Sequence, residues 1–210
     1  MSVWGIVVAG GSGSRFGAAK QFARLGGATV LERSIATTAR SCDGVVVALP
    51  AESGWQPSAP VLAVAGGVTR ADSVRAGLAA VPADAEIVVV HDAARPLASR
   101  MLFAAVIAAV RAGADAAIPA LPVTDTVKRV DGDRVVETVA RDGLVVVQTP
   151  QAFRADALRR AHATGSDGSD DAVLVEQDGG TVRIVPGEPR NLKITVPDDL
   201  EIAAGLIEVG

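Results

Sequence analysis

The chain has 210 residues, 49% of them apolar and only 3% aromatic, with a formal net charge of −4; this length suits one domain with an ample core. The charge excludes broad electrostatic capture of nucleic acid or an anionic membrane surface, so phosphate binding must come from local cations. There is no basic-then-apolar leader and no apolar run of about 18 residues, so no membrane partner and a cytoplasmic location are expected; the one cysteine, Cys42, cannot close an internal disulfide and is expected as a small buried hydrophobe.

The first element is an apolar β-rich run, Ile6-Val7-Val8, that ends in the glycine-rich stretch Ala9-Gly10-Gly11-Ser12-Gly13-Ser14-Arg15-Phe16-Gly17-Ala18-Ala19-Lys20. Glycines let a ligand approach main-chain N–H groups closely, and successive N–H groups form an anion-binding concavity. Arg15 and Lys20 place two cations beside it, which suits a polyphosphate. It is not a Walker A loop, since no Gly-Lys-Ser/Thr follows, and glycines at relative positions one, three and six are missing. The plainer alternative is a flexible turn between strand and helix.

Helical spacing of Val30, Leu31, Ile35 and Ala39 predicts a helix over 29–40, and Val45 to Leu49 reads as a strand ended by Pro50. Residues 50–60 read as a surface connection. A weak strand over 61–65 leads into Gly66-Gly67 and a helix containing Val74 and Leu78, capped near Thr69. This second glycine turn is either a capped helix start or a wall of the same pocket, where Gly67 and Ser73 would read a base edge. Ile87 to Val90 is the clearest buried strand, and it runs into His91-Asp92-Ala93-Ala94-Arg95-Pro96. In an open α/β sheet, ligands sit beyond the carboxyl ends of the strands. Asp92 and Arg95 therefore either face the phosphate loop, with Asp92 as a candidate Mg²⁺ ligand, or form a local salt-bridged corner. His91 reads as a packed residue, not a catalyst.

Met101 to Ala112 predicts a helix and Ala116 to Leu121 a strand. The alternating runs 126–130 and 134–139 flank Asp131-Gly132-Asp133 and predict a β-ribbon. A ribbon alone is marginal in water, so packing on a second subunit is expected. Further on, a helix is expected over 153–161 and another over 172–177 capped by Ser169 or Asp170. A strand over 182–185, a short strand over 191–195 and a last helix from Pro197 follow. Strands alternating with helices predict an α/β fold with a mostly parallel central sheet, helices on both faces and a projecting β-arm. One domain, 1–210, is expected, with 123–148 as the dimerisation arm and no room for a fused second enzyme.

Taken in order, Ala9-Gly10-Gly11-Ser12-Gly13-Ser14-Arg15, Lys20-Gln21-Phe22, Gly66-Gly67 with Arg70-Ala71-Asp72-Ser73, His91-Asp92-Ala93-Ala94-Arg95-Pro96, Asp125-Thr126-Val127-Lys128, Gln148-Thr149-Pro150-Gln151 and Asn191-Leu192-Lys193-Ile194-Thr195 span nearly the whole chain. Together they closely resemble the 2-C-methyl-D-erythritol 4-phosphate cytidylyltransferase family. The resemblance implies a Rossmann-like nucleotidyltransferase fold, a homodimer completed by the β-arm, dependence on Mg²⁺, and transfer of CMP from CTP to methylerythritol phosphate in non-mevalonate isoprenoid biosynthesis. It implies Arg15 and Lys20 as the catalytic cations. It places Ala9, Gly10, Gly11, Gly67, Ser73, Asp92 and Ala93 at the nucleotide, and Arg95, Thr126, Arg141, Thr149, Ser169 and Lys193 at the sugar phosphate, with Arg141 reaching the partner's site. The chain departs from the family pattern in a shortened segment between Arg15 and Lys20, with Ala19 in place of a proline. Val68 stands where an acid is common, and Ser169 where a threonine is common. The rival readings are a ribitol-5-phosphate cytidylyltransferase and a non-catalytic nucleotide-binding protein.

Overall fold

A computed structural model describes residues 1–10, 16, 19–50, 53–57 and 61–208. In chain order the elements are β1 (Val3–Val8), a 3-10 turn (Lys20–Phe22), β2 (Arg24–Leu25), β3 (Ala28–Thr29), α1 (Val30–Ala39), β4 (Gly44–Leu49) and β5 (Leu62–Ala65). Then come α2 (Arg70–Ala80), β6 (Ile87–Asp92), α3 (Arg100–Arg111), β7 (Ala116–Pro122), β8 (Val127–Asp131), β9 (Arg134–Val139) and β10 (Val145–Val147). The last are β11 (Gln151–Arg154), α4 (Ala155–Ala163), α5 (Asp171–Gln177), β12 (Val182–Pro186) and α6 (Pro197–Glu208).

The main sheet has eight strands in the order β10-β7-β11-β6-β1-β4-β5, with β12 also paired to β7. β1 pairs in parallel with β4 and β6, β4 with β5, and β7 with β12, while β10 and β11 run antiparallel to their neighbours. The central strands are Val-rich because both faces are covered. Their side chains alternate: Ile6, Val46, Val88 and Val90 pack with Val74 of α2, Leu158 of α4 and Leu174 of α5. The odd positions Val3, Ile87 and Val89 pack on Phe103 and Val106 of α3, and Val7, Val45 and Val47 on Leu31 and Ile35 of α1. Helices thus lie on both faces, as expected. Cys42 is half-buried against the α3 cluster; burial, with Asp43 adding to it, pushes its thiol up to about 12.

Helix starts follow local chemistry. Thr29 caps α1 and Thr69 caps α2, each through a capping box closed by Glu32 or Asp72. Asp170 caps α5 by accepting from the Val173 N–H at 3.1 Å. Two expectations are corrected. The helix expected from Phe153 begins at Ala155, because 151–154 form β11, inserted between β6 and β7 with Phe153 opposite both Val88 and Ala116. Residues 191–195 form no strand and join no ladder. The Ile194 N–H goes to the Ala94 carbonyl at 2.8 Å, and those of Thr195 and Val196 go to the Asp199 carboxylate.

β8 and β9 form a separate two-stranded ribbon. Gly132, at φ 61°, opens its two-residue turn, and Val136 is the extra residue of a bulge. Val130, Val135 and Val136 are each more than half exposed on it. The chain then rejoins the main sheet: β10 pairs with β7, so the projecting part is shorter than 123–148.

Candidate active site

Three strand ends meet at the carboxyl edge of the sheet: β1 at Ala9-Gly10, β5 at Gly66-Gly67 and β6 at Asp92-Ala93. Ser73, on the first turn of α2, is wedged between two of them. A Cβ on Gly10 or on Gly66 would lie 2.8 Å from the Ser73 hydroxyl oxygen. That hydroxyl accepts the Gly67 N–H at 3.2 Å and donates to the Thr69 carbonyl at 3.1 Å. Gly10, at the end of β1, and Gly66-Gly67 therefore close around one buried serine.

Asp92 is held between two cations. Its Oδ2 lies 2.7 Å from Lys193 Nζ, and its Oδ1 accepts Arg70 Nε at 3.1 Å. Arg70 continues to Asp171 through Nη1 at 2.7 Å, and the other Asp171 oxygen lies 3.0 Å from His162 Nε2. Burial alone would raise the Asp92 pKa; Arg70 and Lys193 outweigh it and hold the carboxyl well below the usual carboxylate range. Burial likewise opposes the charge on Arg70, but Asp92 and Asp171 outweigh it and raise its pKa. The site thus keeps an ionised carboxylate between fixed cations.

Beneath it a buried network fixes the backbone. Thr149 Oγ1 accepts the Asp92 N–H at 3.0 Å and faces His91 Nδ1 at 3.1 Å, while His91 Nε2 faces the Arg95 carbonyl at 3.1 Å. A carbonyl can only accept, so Nε2 carries the proton and Nδ1 accepts from Thr149. Burial lowers the His91 pKa to about 4, so the ring is neutral. Arg95 is buried too, and its guanidinium donates to the carbonyls of Asn191 at 2.8 Å and Val147 at 3.3 Å. Gln148 and Asn191, both buried, bond to each other and tie the 188–193 segment under the site. Lys193 is delivered to Asp92 by this strap. On the opposite rim Lys20 Nζ donates to the Ile194 carbonyl at 2.7 Å, and Gln21 Nε2 to the Ala9 carbonyl at 3.1 Å.

The family model described as 2-C-methyl-D-erythritol 4-phosphate cytidylyltransferase matches residues 3–208. The chain belongs to this cytidylyltransferase family. The protein of that name from Rhodococcus jostii is 48% identical over 98% of this chain and 95% of its own. The bifunctional IspD/IspF enzyme of Solidesulfovibrio magneticus is 46% identical over 95% of this chain, which spans only 56% of that relative. Among solved structures, the cytidylyltransferase of Thermus thermophilus superposes with a TM-score of 0.86 at 38% identity, covering 97% of this chain and 98% of its own. These neighbours carry the Rossmann-like nucleotidyltransferase fold, with the mixed sheet found here.

Of the site residues expected from the sequence, Ala9, Gly10, Gly67, Ser73, Asp92, Ala93, Thr149 and Lys193 cluster at this edge, with Lys20 on its rim. Ala93 is buried, its N–H on the Val8 carbonyl and its carbonyl accepting from Ser34. Gly11 and Arg15 lie outside the described residues. Thr126 and Arg141 are exposed at the root of the ribbon, where Arg141 donates to the Thr124 carbonyl. Ser169 is exposed in the 164–170 loop, beside Asp170. Sequence reasoning left Arg70 and Asp171 off the site, although Arg70 lies inside a quoted motif. It also gave His91 no role beyond packing, and the structure uses it to seat Thr149 under Asp92.

Among the described residues no three His, Cys, Asp or Glu side chains gather as a metal cage. The donor set is one ionised carboxylate, Asp92, with cations on both sides. That fits a hard divalent ion carried mainly by phosphate oxygens and water, which needs few protein ligands. Among the described residues no helix is long and apolar enough to cross a membrane.

Proposed function

We propose that the chain transfers the cytidylyl group of CTP to 2-C-methyl-D-erythritol 4-phosphate, releasing pyrophosphate, as a step of isoprenoid biosynthesis. The observation that carries this reading is Asp92, ionised and clamped by Lys193 and Arg70, at the sheet edge that also holds Gly10 and Gly66-Gly67. The glycine turns suit the nucleoside, with Gly67 and Ser73 as the base wall. Lys20 and Arg15 suit the triphosphate.

An oxygen of the 4-phosphate attacks the α-phosphorus of CTP, forming one P–O bond as the bond to pyrophosphate breaks. The attacking phosphate is already ionised, so no protein nucleophile or general base is required. The chain's share is to hold two polyanions in line and to offset their mutual repulsion. Lys20 and Arg15 stabilise charge on the transferring and leaving phosphates; Lys193 and Ser169 orient the acceptor, while Thr149 supports it from below by holding the Asp92 N–H. Arg95 acts from below through the strap it holds. Mg²⁺, held by Asp92 together with the triphosphate, would neutralise further phosphate charge.

The exposed valines of the β8–β9 ribbon support a homodimer, in which Thr126 and Arg141 at the ribbon's root complete the partner's acceptor site. The test is pyrophosphate release with CTP, Mg²⁺ and methylerythritol phosphate. Turnover is expected with all three present. Faster turnover with ribitol 5-phosphate, or CTP binding with no release, would overturn the reading.

A further inference from the structure

The 164–170 loop, which carries Ser169, is attached to the nucleotide side of the site by contacts of unequal worth. Thr69 Oγ1 donates to Asp167 at 3.1 Å and Arg75 Nη1 to the Ser166 carbonyl at 3.1 Å, both on the exposed surface. Exposed polar pairs of this kind contribute little. Gln151 Nε2 reaches Asp170 at 2.8 Å. The strongest tie lies at the loop's end. Asp171, 1% exposed, takes Arg70 Nη1 on one oxygen and His162 Nε2 on the other.

Among the described residues, Arg70 is the one side chain ion-paired to both Asp171 and Asp92. Its planar guanidinium fixes the angle between the two carboxylates as well as their separation. Asp171 is the first residue of α5 and sits two positions after Ser169; Asp92 ends β6 and meets Lys193. One rigid group therefore spans the edge of the pocket from the acceptor side to the nucleotide side.

We infer that Arg70 is a positioning residue that locks the acceptor loop to the Asp92 carboxylate, so that the two phosphates are presented to each other in one frame. The inference rests on the reaction proposed above for its kinetic part, and on the apo protein alone for its structural part. Arg70 touches neither reacting phosphate in this scheme. Its loss should therefore act on the geometry of transfer more than on nucleotide affinity.

The test uses Arg70→Lys, which keeps the charge but cannot span both acids, and Asp171→Asn, which keeps the shape but not the charge. In both variants, amide exchange of residues 164–173 in the unliganded protein should speed up about tenfold, the loss of roughly one buried charge-assisted bond. In pyrophosphate release kcat should fall about 10- to 100-fold, the scale of a misaligned reactant. KM for CTP should stay within about threefold, a change that uniform ground-state binding alone would not spare. The double variant should lose no more kcat than Arg70→Lys alone, as expected of residues acting as a unit. Unchanged exchange in both variants overturns the inference, as does a loss confined to KM for CTP, or strictly multiplicative losses in the double variant. Should Arg70→Lys fail to fold, Asp171→Asn decides on the same readouts. A wild-type protein that releases no pyrophosphate would sink the reaction instead, and the exchange measurement would still decide the role of Arg70.

Discussion

The ammonium of Lys20 donates to the main-chain carbonyl of Ile194 at 2.7 Å, joining the segment after the first glycine turn to the strap that delivers Lys193. The cation proposed for the triphosphate is thereby tied to the segment that carries Lys193, and Asp92 lies beside Lys193. Lys20→Ala is expected to lower turnover about 10²–10³-fold, the usual loss for one electrostatic donor to a developing charge. The lost hydrogen bond should cost about 1 kcal/mol of stability, so the fold survives. Steady-state pyrophosphate release, with a thermal melt as control, checks both; near-normal kcat refutes the assigned role.

Asp92→Asn keeps the shape and removes the charge between Lys193 and Arg70. The Lys193 side chain is 45% exposed and regains water, so the destabilisation should be on the order of 2 kcal/mol, below that of a fully buried broken pair. Turnover should fall further than stability accounts for, and the Mg²⁺ concentration giving half-maximal rate should rise. A variant that melts lower yet keeps the wild-type Mg²⁺ dependence would leave Asp92 a purely structural corner.

Much of this site was legible in the sequence, and what was missed has physical causes. β1, β4 and β6 could be read because a strand buried on both faces needs a continuous run of Val and Ile, and Thr69 announced the start of α2 by its capping chemistry. β11 could not be read: its few apolar residues look like the start of the helix that follows them, and only pairing with β6 and β7 makes them a strand. Leu192 and Ile194 imitate a strand by alternation, but their segment bonds to Ala94 and Asp199 instead of to a ladder. Arg70 was passed over because an arginine in the first turn of a helix ordinarily faces water. Its partners, Asp92 and Asp171, lie 22 and 101 residues away in sequence. Arg95 was expected to face phosphate, and it is the carbonyls of Val147 and Asn191, brought in by distant segments, that draw it inward.

His91 gives the protein an acid-sensitive foundation. Its ring is buried and neutral, with a pKa of about 4 in the folded state, set first by burial against the opposing pull of Asp92; the unfolded value is about 6.5. Between these two values the unfolded chain binds a proton that the folded chain refuses. Stability is therefore fully present above pH 6.5 and falls as the pH drops toward 4, with a slope of at most about 1.4 kcal/mol per unit. The Asp92 contribution also falls in acid, but only below the ordinary carboxylate range, so the two windows separate. Melting temperatures measured between pH 7 and 4 should decline in the wild type. They should be lower but flatter in His91→Gln, which retains an N–H for the Arg95 carbonyl and takes up no proton. Parallel curves for the two proteins would remove His91 as the cause.

The ribbon offers a test of assembly that is independent of the nucleotide pocket. Val130 and Val135 are paired across β8 and β9, each more than half exposed, and the bulged residue Val136 is also more than half exposed. A two-stranded ribbon with such a surface is marginal alone and gains stability by covering it. Val130→Asp together with Val135→Asp should leave the main sheet intact and convert a dimer to monomers in sedimentation equilibrium. Turnover should fall with it, because Thr126 and Arg141 would no longer reach a partner's site, while CTP affinity stays near the wild-type value. A wild-type protein that sediments as a monomer, or a monomeric variant with full turnover, would confine the acceptor site to one chain.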